Sequence, residues 1–140
     1  MNTYRVLAIC SIFVSANVLA ASFEDVFNAN RALHGKGYHF TFEGDSYVTY
    51  HPEEIEAQGE ASLDNAKALL LSASNMHKKA KSLGYGWTLT AKIMKSAQKA
   101  LKKGQYQQAM NLSAQAKYHA RMGIAQFHAS ASDWNRFVPK

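Results

Sequence analysis

The sequence predicts a mostly α-helical fold, an antiparallel helical hairpin braced by a long first helix to make a three-helix bundle. A small N-terminal helix and a possible β-hairpin precede it. Three observations carry this reading. Apolar and small residues recur at alternating steps of three and four over residues 52–130, which holds one stripe of a helix against a partner. Gly84, Gly86 and Gly104 divide that stretch into three periodic runs. Residues 22–51, rich in aromatics, histidine and glycine, differ from the alanine-, lysine- and glutamine-rich residues 52–130, with the boundary near His51-Pro52.

Residues 1–20 read as a secretory signal. Arg5 is the only charge in a short polar start, Val6–Val14 is almost wholly apolar, and Val18, Leu19 and Ala20 suit cleavage after Ala20. The run is too short and too weakly continuous for a membrane span, and no other apolar stretch is long enough. Cleavage would lower the formal charge from +6 to +5 and remove Cys10, the only cysteine. The mature chain would then have no disulfide, thiolate metal site, thiol nucleophile or cysteine-linked haem. The expected location is the periplasm.

Next, Ser22 caps a short helix with Asp25 completing the capping pattern, and the helix runs to about Leu33 before Gly35 and Gly37. Tyr38, Phe40 and Phe42 alternate with His39 and Thr41, and a second β-favouring stretch covers Tyr47–Tyr50. Glu43-Gly44-Asp45-Ser46 between them has turn composition, giving a hairpin that should lie on the helices. Pro52 suits a first helical turn, where Glu53 and Glu54 complement the helix dipole. The long first helix carries its seam on Ile55, Gly59, Leu63, Ala66, Leu70, Ala73, His77 and Ala80. A second helix runs from Trp87 or Thr88 to Lys103 with Ile93, Ala97, Ala100 and Leu101 on its seam. A third starts near Gln105 and fades by about Ser130, leaving 131–140 as a tail. The short turn at Lys102–Gln105 makes the last two helices antiparallel.

Little in this chain points to chemistry. Six histidines contain no pair at helical ligand spacing, so no metal and no cofactor are expected. Helix-interior serines lack a flanking base, and Gly84-Tyr85-Gly86 links two helices rather than a strand to a helix, so it cradles no phosphate. Nucleic acid is disfavoured by export and by lysines without interleaved aromatics. The basic balance serves solubility or an acidic partner surface. Lys92, Lys95, Lys99, Lys102 and Lys103 form the polar side of the second helix, either a solvated face or a docking stripe. Trp87, at a glycine-flanked helix start, is either a cap over the core or an exposed anchor.

Gly84, Trp87, Thr90, Lys92-Ile93-Met94-Lys95, Ala97 and Ala100, then Gly104, Tyr106, Ala109, Leu112, Gln115-Ala116, Gly123 and Gln126, together resemble the SoxXA-binding protein family over about residues 61–130. The resemblance implies a small exported helical protein without catalytic activity. Its partner would be SoxXA, the c-type cytochrome that starts thiosulfate oxidation in the bacterial sulfur-oxidation system. It also implies partner-binding roles for Trp87, Thr90, Lys92, Lys95 and Tyr106. The family often has an acidic residue before the tryptophan and Arg-Asp after it; here stand Gly86, then Thr88 and Leu89. The turn and the alanine spacing are shared by tetratricopeptide-like helical hairpins, so the alternative is a generic interaction module of the cell envelope.

Overall fold

A computed structural model describes residues 21–137, with side-chain surroundings through Ser130. The expected signal segment and its cleavage site lie outside the described residues. The elements are α1 Phe23–His34, β1 His39–Phe42, β2 Asp45–Val48, α2 Pro52–Glu56, α3 Leu63–Ser82, α4 Thr88–Lys102 and α5 Tyr106–Phe137. No helix among the described residues is long and apolar enough to cross a membrane.

Helices α3, α4 and α5 form the bundle, and α5 also packs against α2. Ala66 and Leu69 of α3 meet Ala100 of α4 and Ala109, Met110 and Ala114 of α5 in one cluster, which Ala57 joins. Ala73, Ile93 and Ala116 meet in the next. Residue numbers rise together in α3 and α5 and fall in α4, so α4 runs antiparallel to both. Apart from Leu69, Ile93 and Met110, the fully buried hydrophobic residues of the bundle are alanines. Small side chains let the helix axes approach closely, and the few large ones supply most of the hydrophobic stabilisation, at roughly 1.5–3 kcal/mol each.

The long first helix is interrupted. It ends at Glu56 and restarts at Leu63, because the Ser62 hydroxyl accepts from the Asn65 amide (3.2 Å) while Asn65 Nδ2 donates to the Glu60 carbonyl (2.9 Å). The first bond satisfies a first-turn amide of a new helix, a role serine fills well, and the second ties that turn to the preceding loop. Leu69 is buried where Leu70 was expected, Leu70 is half-buried, and Ile55 is 58 % exposed. Ala66, Ala73 and Ala80 keep their seam places. At the other end α5 continues past Ser130 to Phe137.

The N-terminal elements build a small module of their own. Ser22 and Asp25 form the capping box of α1. The β-hairpin is present with a tighter turn than expected. Thr41 pairs with Ser46 and Phe42 with Asp45, so Asp45 and Ser46 are strand residues and only Glu43 and Gly44 turn. Both have positive φ, 50° and 92°, the combination a type I′ hairpin turn requires. The hairpin lies on α1 rather than on the bundle: the Phe23 ring is 4.8–6.1 Å from those of Phe27, Phe40, Phe42 and Tyr47. Buried Thr49 locks the base, donating to the Gly35 carbonyl (2.7 Å) and accepting from the Tyr38 amide (2.9 Å).

Candidate functional site

The segment Gly84–Trp87 crosses directly over α5. A Cβ at Gly123 would stand 2.5 Å from the Tyr85 carbonyl oxygen, so only glycine admits this approach. Tyr85 is further tied to α5 by its hydroxyl on Ser130 Oγ (3.0 Å) and its ring against Phe127 (5.9 Å between centroids). On this seat Trp87 takes the N-cap position of α4. Its ring centroid lies 5.8 Å from that of His119 on α5, and the residue is 39 % exposed. The ring is therefore braced from the bundle side while part of its surface meets solvent.

The other residues of the predicted patch divide. Lys92 and Lys95 are exposed along the first turns of α4, with Lys99, Lys102 and Lys103 exposed beyond them. Thr90 is fully buried, and its hydroxyl has no hydrogen-bond partner among the described residues. It sits inside the bundle and offers no surface to a partner. Tyr106 begins α5 and packs half-buried on the cluster at the opposite end. The 15 residues of α4, about 22 Å of helix, separate that end from Trp87. Trp87, Lys92 and Lys95 thus lie toward the same end of α4, Thr90 is buried inside the bundle, and Tyr106 stands at the opposite end.

A second region was not anticipated. Helix α2 is only five residues long, yet its three carboxylates clasp the N-terminal module to the bundle. Glu53 receives Arg121 Nε and Nη2 (2.6 and 3.2 Å), Glu54 receives both Arg31 terminal nitrogens (2.7 Å each), and Glu56 receives Lys117 Nζ (2.6 Å). Arg31 also donates to the Thr49 carbonyl. The His51 ring stacks on Tyr118 (4.4 Å) and lies 5.4 Å from Phe27. Burial first, and then the charge of Arg31, hold His51 below the usual histidine range. Burial pushes the Glu54 carboxyl up, but the Arg31 hydrogen bonds and the His51 amide (2.9 Å) bring it below its ordinary value.

Beside this clasp a cleft of about 810 Å³ opens between α5 and the N-terminal module. Gln108, Asn111 and Gln115 line it at steps of three and four along α5, one face of the helix. Gln58, Tyr50, Tyr118, His119, Arg31 and Lys36 complete much of the wall. Because His119 also supports Trp87, the cleft and the tryptophan seat adjoin. The spacing of the three α5 amides was the available sequence signal, hidden in a glutamine-rich helix. Among the described residues no three His, Cys, Asp or Glu side chains gather in metal-binding reach.

Compared with known proteins, the chain matches no family, no curated protein and no solved structure.

Proposed function

We propose that the protein is a non-catalytic accessory subunit that docks, through Trp87 and the lysine face of α4, on a c-type cytochrome of a periplasmic sulfur-oxidation system. The observation that carries the docking role is Trp87, 39 % exposed and held on a rigid seat beside exposed lysines. Tryptophan is enriched among residues that dominate interface energies, and a preorganised ring loses little freedom on binding. The cytochrome as partner, and the periplasm as location, rest on the resemblance over residues 61–130 and on the signal-like residues 1–20. The lysines would steer the encounter. Reversing Lys92 and Lys95 to glutamate should slow association with purified SoxXA and flatten its salt dependence, with the dissociation rate little changed. An association rate indifferent to both substitutions removes the lysine face from the interface. Mass spectrometry of the protein from its host should show a chain beginning at or near Ala21, and an intact Met1 terminus would contradict export.

A second reading is favoured by the amide-lined cleft: a generic helical interaction module whose partner is another envelope protein. Absence of measurable association with SoxXA at low salt selects it.

A further inference from the structure

We infer that the cleft between α5 and the N-terminal module binds an extended peptide ending in a carboxylate. Its floor is a row of carboxamides, and each carboxamide carries a donor and an acceptor, the complement of a peptide group. The side chains of Gln58, Gln108 and Gln115 have no hydrogen-bond partner within the described residues, and Asn111 uses only its oxygen, toward Gln107 Nε2 (3.1 Å). Gln108 to Gln115 covers about 10 Å of helix, the length of about three extended residues. The charge on the wall is one-sided. Arg31 is neutralised by Glu54, whereas Lys36 forms no ion pair among the described residues, so an anionic end is attracted there. A sugar fits less well, because a sugar ring needs an open aromatic face. One face of the cleft's Tyr118 is covered by His51, and its ring is also capped by the Arg121 guanidinium (5.3 Å). The site recognises backbone and terminus, so a sequence-neutral probe is adequate.

The test is a titration of the full mature chain with N-acetyl-tetraalanine, its C-terminally amidated form, and cellotriose, followed by amide chemical shifts in NMR. The acid peptide should give saturable shifts at the side-chain amides of Gln108, Asn111 and Gln115, and the amidated peptide should bind at least fivefold more weakly. Lys36→Gln should erase that difference. Gln108→Leu combined with Gln115→Leu should weaken binding at least tenfold at an unchanged melting temperature, since both residues are exposed. Absence of saturable shifts, equal affinity for acid and amide, or preference for cellotriose would each overturn the inference. No cytochrome enters the titration, so its failure leaves the docking reading untouched.

Discussion

Glu53 is 2 % exposed, and Arg121 grips both of its oxygens. Removing one partner of a buried pair strands the other. Arg121→Met should therefore cost about 3 kcal/mol in urea unfolding, the low end for a buried pair because Arg121 is partly exposed. Adding Glu53→Gln should restore part of that loss; a double variant no more stable than the single would show that the carboxylate was never the liability. His51 and Glu54 each tie stability to pH. Both have folded-state values below their unfolded ones, so each contributes stability that is fully present above the unfolded pKa and lost as pH falls through the folded one. For His51 that loss begins below about 6.5, and for Glu54 below about 4.5. Melting temperature should fall on acidification from pH 7 to 5, and His51→Phe, which keeps a ring against Tyr118, should flatten that limb. An unchanged slope would place the titrating group elsewhere. The sequence showed Glu53 and Glu54 as helix-start residues, and that reading was incomplete. Their cationic partners stand 68 and 23 positions away, and no local pattern reports such pairs.

Among the elements, those with strong local punctuation were legible. Ser22 with Asp25 starts α1, Pro52 starts α2, and Gly84 and Gly104 close α3 and α4. The break between α2 and α3 was not, since Gly59 and Leu63 happen to continue the three-four rhythm across it. The place of Leu69 on the buried face of α3 is measurable. Leu69→Asp should bury an unpaired charge among alanines and cost several kcal/mol, enough to unfold a domain of ordinary stability. Leu70→Asp, on a half-buried residue, should cost visibly less. Equal melting temperatures in the two variants would contradict the phase of α3. In α5 the interior glycine has a positional reason: Gly123→Ala must push the Tyr85 backbone away, and through it the Trp87 seat. It should lower the melting temperature and change Trp87 solvent exposure together.

For the whole molecule, composition and period gave the bundle and the separate N-terminal segment, while the way the two join depended on long-range contacts. The joint is a run of rings and ion pairs: Phe27 to His51 to Tyr118 to His119 to Trp87, flanked by the three carboxylates of α2. It connects the clasp, the cleft and the tryptophan seat along one side of α5. The measurement that tests the docking role most directly is the equilibrium affinity of the chain from Ala21 onward for purified SoxXA, beside that of Trp87→Ala, with both melting curves recorded. The account predicts association at low salt for the unaltered chain and a loss of about 2 kcal/mol or more on truncation, with only a small drop in melting temperature. Equal affinity of the two proteins, or loss of binding that merely follows unfolding, would contradict it.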